Sequence, residues 1–125
     1  MADRRDGAEQ GLRKDPVLAV EVVGLARVVK LAGELDLYNA PQVREALLQA
    51  TAASPQRVVV DLGEVLFIDS TALGVLIEAR TKLDDGRAFL LAAPGLETRR
   101  ALEISGLDRH FSVHESVSEA LVAKV

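Results

Sequence analysis

The stretch RVVVDLGEVLFIDSTALGVL, residues 57–76, decides the fold. Its beginning, RVVVDL (57–62), is short and nearly all apolar, which is typical of a strand covered on both faces. From Ser70 onward the period changes, and STALGVLIEARTKLDDG (70–86) predicts a helix. The residues expected to face the core from this helix are Leu73, Leu76, Ile77 and Leu83. A buried strand followed directly by a helix is the repeating unit of a parallel α/β sheet.

The sequence before this unit predicts a hairpin and a helix. The runs 17–23 and 26–35 are rich in β-branched residues and flank Gly24, so they indicate two antiparallel strands. A helical period then extends over residues 39–54. We expect Asn39 to be its N-cap and Pro41 to lie in its first turn, where a missing N–H costs nothing.

The sequence after the unit adds two further strand–helix pairs. A strand is predicted over 87–93, and a helix begins near Pro94 and ends at Gly106, a candidate left-handed cap. A short strand lies within HFSVHES (110–116), and the closing helix begins with a Ser116-x-x-Glu119 capping pattern. The predicted order is β-β-α-β-α-β-α-β-α, an α/β class. We expect one domain over 16–125, with a mainly parallel mixed sheet, an antiparallel N-terminal edge hairpin and about four helices.

Composition and charge exclude several classes of function. The 125 residues include 15 basic and 19 acidic side chains, and the net charge of −4 argues against a nucleic-acid binder or a protein drawn to anionic membranes. The absence of cysteine excludes disulfides, thiolate catalysis and zinc–cysteine sites. No run is long enough to span a bilayer, and the start lacks the apolar part of a secretory signal. We therefore expect a cytoplasmic protein, with residues 1–15 forming a mobile charged tail.

Two acidic loops are predicted at the carboxyl ends of neighbouring strands, where α/β sheets usually bind ligands and partners. One is GELDLYNA (33–40), and the other is GEVLFIDST (63–71). Their acidic residues are Glu34, Asp36, Glu64 and Asp69. Without a phosphate-cradling loop or a tight cluster of aspartates, these acids predict neither a metal site nor a cofactor.

Ser70 admits three interpretations. Its hydroxyl could cap the helix, with a contribution of about 1 kcal/mol. It could instead accept a phosphate, because a helix N-terminus favours an anion. A catalytic nucleophile would need a base, but His110 and His114 lie near the last strand and no G-x-S-x-G motif surrounds Ser70.

Three blocks of the sequence resemble the signatures of STAS domains, and more narrowly of bacterial anti-sigma factor antagonists. They are GELDLYNAPQVREAL, VVVDLGEVLFIDSTALGVL and LEISGLDRHFSV, and the resemblance extends over about residues 17–123. It implies a non-enzymatic regulator of stress response or sporulation. Its unphosphorylated form would bind an anti-sigma factor serine kinase and so free a sigma factor. Phosphorylation of Ser70 would end this binding, and a PP2C-type phosphatase would restore it. ATP and Mg²⁺ belong to the kinase.

The same resemblance implies which residues face the partner: Glu34, Asp36, Asp69, Ser70, Thr71 and Leu73. Thr71 replaces a common serine and is a second, weaker candidate for phosphorylation. Ala72 replaces a common glycine, and alanine is the better helix former by about 1 kcal/mol. An alternative within the same fold is a non-switching scaffold subunit of a transporter or sensor assembly.

Overall fold

The computed structural model of the protein describes residues 15–125, and the chain there forms one sheet flanked by helices. The strands are β1 (Val17–Val23), β2 (Ala26–Leu35), β3 (Arg57–Ile68), β4 (Phe89–Ala92) and β5 (Ser112–His114). The helices are α1 (Ala40–Ala52), α2 (Ser70–Arg80), α3 (Leu96–Ser105) and α4 (Val117–Val122), with 3-10 turns at Gly86–Ala88 and Leu107–Arg109. The predicted tail, residues 1–15, lies outside the described residues except for Asp15.

The sheet has the order β1-β2-β3-β4-β5. Strands β1 and β2 are antiparallel, and the pairs from β2 to β5 are parallel. The hairpin between β1 and β2 turns at Gly24, whose φ of 60° lies in the left-handed region that glycine adopts without strain. The predicted topology, with its antiparallel edge hairpin, is confirmed.

The two faces of the sheet are covered unequally. Helices α1, α2 and α3 pack on one face in a large core that includes Leu35, Leu47, Leu76 and Phe89. The ring of Phe89 also contacts Phe111, with 6.0 Å between the ring centroids. Helix α4 packs on the opposite face, in a smaller cluster built from Val28, Val59, Leu90, Ala92 and Ala120. Within residues 15–125, none of these helices is long and apolar enough to cross a membrane.

Strand β3 is longer than the sequence indicates. The segment 63–71 was expected to be a loop, but β3 continues to Ile68, so this expectation is wrong for residues 63–68. The cause is a pair of irregularities that interrupt the apolar alternation. Between the pairs Lys30–Asp61 and Ala32–Glu64, β3 gains one residue over β2. A second residue is gained between the pairs Gly33–Val65 and Glu34–Phe67. Such bulges break the period of two by which a strand is recognised.

Helix α2 is shorter than predicted, because it ends at Arg80 rather than near Gly86. Leu73 and Leu76 face the core as expected, and Leu83 packs against the core from beyond the helix. Ile77 does not, because it is 43% exposed. Strand β4 begins at Phe89, two residues later than predicted.

The predicted caps of the last two helices are largely confirmed. Gly106 follows α3 with a φ of 78°, and its N–H donates to the Glu103 carbonyl. The Ser116 hydroxyl accepts the N–H of Glu119 at 3.1 Å. The reciprocal half of the capping box is displaced, since the Glu119 carboxylate accepts the N–H of Glu115.

Candidate functional site

The starts of α1 and α2 lie side by side because the strands before them end together. Leu35 and Ile68, the last residues of β2 and β3, are register partners. One residue later, the N–H of Asp69 donates to the carbonyl of Leu35 at 3.0 Å. The turn 36–39 and the beginning of α2 therefore form one continuous surface.

Asp69 joins the two helix starts. Its Oδ1 accepts the N–H of Ala72 at 2.9 Å, which makes it the N-cap of α2. Its Oδ2 accepts the N–H of Leu37, in the turn before α1, at 3.1 Å. One carboxylate thus satisfies a helix donor and a loop donor, and both of its oxygens are engaged within the fold.

Asn39 is the N-cap residue of α1, as predicted, but its side chain makes no capping hydrogen bond to that helix. The amide is turned back into its own loop. Its Oδ1 accepts the N–H of Asp36 at 2.9 Å, and its Nδ2 donates to the carbonyl of Glu34 at 2.8 Å. Asp36 in turn accepts the N–H of Tyr38 at 3.0 Å. These bonds close the turn, and Pro41 in the first turn of α1 needs no partner for a donor.

Ser70 is the first residue of α2 and is exposed. Because Asp69 is the cap, the Ser70 hydroxyl is not needed there, and it forms no hydrogen bond with any residue from 15 to 125. Thr71 is exposed beside it. His114 is hydrogen-bonded to Ser112 in β5 and not to Ser70. Ser70 therefore presents an exposed hydroxyl at the start of α2.

Of the four acidic residues predicted for the loops at the strand ends, only two lie in those loops. Asp36 and Asp69 follow their strands directly, as predicted. Glu34 lies within β2 opposite Phe67, and Glu64 lies within β3 opposite Ala32. Across residues 15–125, no group of three or more His, Asp or Glu side chains is placed to hold a metal ion.

Leu73 was predicted to face a partner, but it is only 7% exposed and belongs to the core. Its N–H donates to the Asp69 carbonyl, the first hydrogen bond of α2. It therefore supports the helix beneath Ser70 and presents almost no surface.

Several exposed large apolar side chains in the segments around Ser70 were not predicted from the sequence. They are Leu37 and Tyr38 in the turn before α1, Leu66 and Phe67 near the end of β3, and Ile77 in α2. The signal that points to them is the pair of large side chains in the tight turn LDLYNA, where small polar residues are usual. Exposed apolar side chains of this size are candidates for contact with a partner.

Helices α1 and α2 are also bridged by an ion pair. Arg44 donates from Nε and from a terminal nitrogen to the two carboxylate oxygens of Glu78, at 2.8 and 2.7 Å. These hydrogen bonds lower the pKa of Glu78 and raise the pKa of Arg44. The pair is exposed, so it orients the two helices more than it stabilises them.

Known proteins carry the same fold and sequence pattern. The sequence matches the STAS domain family over residues 17–120. This chain belongs to the STAS domain family. It is 33% identical over 94 residues to RsfB, the anti-sigma-F factor antagonist of Mycobacterium tuberculosis, with 75% of this chain and 77% of RsfB covered. The anti-sigma-B factor antagonist of Listeria monocytogenes is 40% identical over 79 residues, which cover 62% of this chain and 68% of that protein.

A solved structure agrees with this assignment. The crystal structure of an anti-sigma factor antagonist from Mycobacterium paratuberculosis superposes with a TM-score of 0.79 at 33% identity. The superposition covers 86% of this chain and 92% of the other. The resemblance inferred from the sequence is confirmed, and so is the single STAS fold with its five-stranded mixed sheet and four helices.

Proposed function

We propose that this protein is an anti-sigma factor antagonist of the cytoplasm that is switched by phosphorylation of Ser70. The unphosphorylated form binds an anti-sigma factor serine kinase, which then releases its sigma factor. The relatives named above support the class of regulator. The observation that carries the switch is the capping of α2 by Asp69, because it leaves the adjacent Ser70 hydroxyl exposed and uncommitted.

In the proposed switch, this chain supplies only the hydroxyl group that accepts the phosphate. The Ser70 oxygen forms a bond to the γ-phosphorus of ATP held with Mg²⁺ by the kinase, and the bond to the β-phosphate oxygen breaks. ADP leaves, and the hydroxyl proton passes to a base of the kinase. Hydrolysis of the phosphate ester by a PP2C-type phosphatase returns the serine. The protein itself presents the acceptor and is not an enzyme.

A phosphate on Ser70 is compatible with the fold. It adds a charge of about −1.5 to −2 at the start of α2, where the helix dipole is positive. The N–H groups of Ser70 and Thr71 in this first turn have no acceptor among the described residues, so they can bind the phosphate oxygens. Switching therefore acts on the surface and does not require unfolding.

The same phosphate disfavours the complex. The partner contacts are proposed to be the exposed apolar side chains of Leu37, Tyr38 and Phe67, together with the polar residues Glu34, Asp36, Asp69 and Thr71. Large apolar side chains supply most of the binding energy at such interfaces, and tyrosine is common among the residues that matter most. Burying a dianion among them carries a large desolvation cost. Phosphorylated Ser70 also repels any acidic group that approaches beside Asp69.

The test is phosphorylation by purified anti-sigma factor kinases from the same cell. With ATP and Mg²⁺, mass spectrometry is expected to locate phosphate on Ser70, and Ser70→Ala is expected to abolish it. Thr71→Ala is the matched control, since it removes the neighbouring exposed hydroxyl and should leave phosphorylation intact. Phosphate on Thr71 alone, or none with any kinase of the cell, would overturn the proposal.

Binding separates the switch from the alternative scaffold function. Ser70→Asp is expected to weaken binding of the kinase at least tenfold, whereas Ser70→Ala retains it. Equal binding by both variants would instead favour a non-switching scaffold of a transporter or sensor assembly.

A further inference from the structure

Strand β1 forms one edge of the sheet among the described strands, and this edge is unusually open. It contains seven residues, whereas β5 at the opposite edge contains three. An edge strand presents unpaired N–H and C=O groups to other strands, and proteins usually protect it by short length, proline, lysine or a β-bulge. The sequence VLAVEVV contains no proline or lysine, and its single charge is Glu21. Its bulge is at Leu18, where β1 gains one residue over β2 between the pairs Val17–Leu31 and Ala19–Lys30, so the regular residues 19–23 are left open to pairing.

The side chains of β1 form an apolar row on the helix-covered face. Val20 is the register partner of Val29, which lies in the large core, so both point to that face. Alternation places Val22 on the same face as Val20. The exposures of Val20 and Val22 are 48% and 67%. The described helices therefore leave these two side chains uncovered.

We propose that a second copy of this chain pairs antiparallel with β1 through a two-fold axis at Val20. Val20 lies in the regular part of β1, residues 19–23, which follows the bulge at Leu18. The axis places Val20 opposite Val20 of the second copy and Ala19 opposite Glu21 of the second copy. Pro16, which has no N–H to donate, lies outside the paired segment. Cross-strand pairs of this kind stabilise sheets.

Charge complementarity selects this register. On the other face, Ala19 is the partner of Lys30 within the chain. An axis at Val20 places Glu21 opposite Ala19 of the second copy, with Lys30 of that copy one strand further in. Two strand spacings separate the Cα atoms of Glu21 and Lys30 by about 10 Å, a span that these two side chains can bridge over the alanine methyl. An axis at Glu21 would instead oppose two carboxylates, which destabilises a pair.

Both charged residues are available for this contact. Among residues 15–125, neither Glu21 nor Lys30 takes part in an ion pair. Antiparallel pairing of β1 also points the carboxyl ends of the two β3 strands in opposite directions, so Ser70 stays exposed in both copies. The inference therefore does not rest on the proposed function, and either can fail alone.

The first test measures the mass of the full chain by sedimentation over a range of concentrations. We expect a monomer–dimer equilibrium that dissociates on dilution, because pairing of one strand buries a small area. Val20→Glu opposes two carboxylates at the axis and is expected to give monomer at every concentration. Ile104→Glu, at an apolar and more exposed site on α3, is the control and should dimerise like the parent chain. A monomeric parent chain, or equal masses for the two variants, would overturn the proposal.

The second test examines the register. Glu21→Lys and Lys30→Glu should each raise the dissociation constant, and the double variant should restore it because both ion pairs re-form with reversed sign. The chain has no cysteine, so Val20→Cys introduces a single thiol. Under mild oxidation it should form a disulfide between copies, whereas Ile104→Cys should not. Failure of the double variant to recover, or equal cross-linking of the two cysteine variants, would contradict an axis at Val20.

Discussion

The starts of α1 and α2 resemble each other in position and differ in how they use their first polar side chain. Both helices follow neighbouring parallel strands, and each is preceded by an Asn or Asp. Asn39 bonds back to Glu34 and Asp36 and closes its own turn. Asp69 bonds forward to its own helix and across to the other turn. The start of α1 is therefore self-contained. The start of α2 is joined to the turn before α1, and the hydroxyl of the next residue, Ser70, is left without a role in the cap.

The largest effect is expected at the self-contained start. Asn39→Ala removes two hydrogen bonds from a site that is 8% exposed, one to the Glu34 carbonyl and one from the Asp36 N–H. We expect a loss of about 2–3 kcal/mol in the free energy of unfolding, measured with urea. Gln42→Ala, on the exposed side of the first turn of α1, should change it by less than about 0.5 kcal/mol. Similar losses for both variants would contradict this account of the turn.

A smaller effect is expected at the joining start. Asp69→Ala removes the cap of α2 and the bond to Leu37, with an expected loss of about 1–2 kcal/mol. Asp69→Asn keeps most of the cap, because asparagine is an equally good N-cap residue. Ser70→Ala should leave stability within about 0.5 kcal/mol of the parent chain. If Ser70→Ala were as costly as Asp69→Ala, the two residues would share the cap.

The smallest effect concerns the ion pair that bridges the two helices beyond their starts. Arg44 lowers the pKa of Glu78, so the pair contributes while Glu78 is ionised and is lost as the pH falls through its lowered folded pKa. We expect unfolding measurements to show a small loss of stability below about pH 4.3, the ordinary glutamate pKa. Glu78→Gln should flatten this dependence, and Glu103→Gln on α3 should not. An unchanged pH profile in Glu78→Gln would assign the acid sensitivity elsewhere.

Most of the fold could be predicted because strands and helices differ in the period of their apolar residues. The run RVVVDL and the hairpin flanking Gly24 are unambiguous in this respect, and both are confirmed. The prediction failed at 63–68, where two extra residues destroy the alternation. It also failed at Ile77, because Val75 and Ala79 are buried instead and the buried stripe of α2 is rotated away from it.

The site was only partly predictable for a different reason. Ser70 and Asp69 could be located at a helix start from local pattern alone. Local pattern does not show that Asp69 also accepts the N–H of Leu37, a residue 32 positions away. That bond exists only because β2 and β3 end in register. Tyr38 and Phe67 are both exposed but lie far apart in the sequence, so no local period could relate them.

The two bulges of β3 help to determine where Ser70 lies. Strand β2 covers its length with ten residues, whereas the paired length of β3 takes twelve. Strand β3 therefore contains two more residues than β2 needs over the same length, and both lie shortly before the start of α2. Removing either one between Gly63 and Leu66 would move Asp69 out of reach of Leu37, although no side chain at the site had changed. The placement of Ser70 therefore depends on the number of residues that precede it in β3, and an insertion or deletion there should displace it more than most substitutions would.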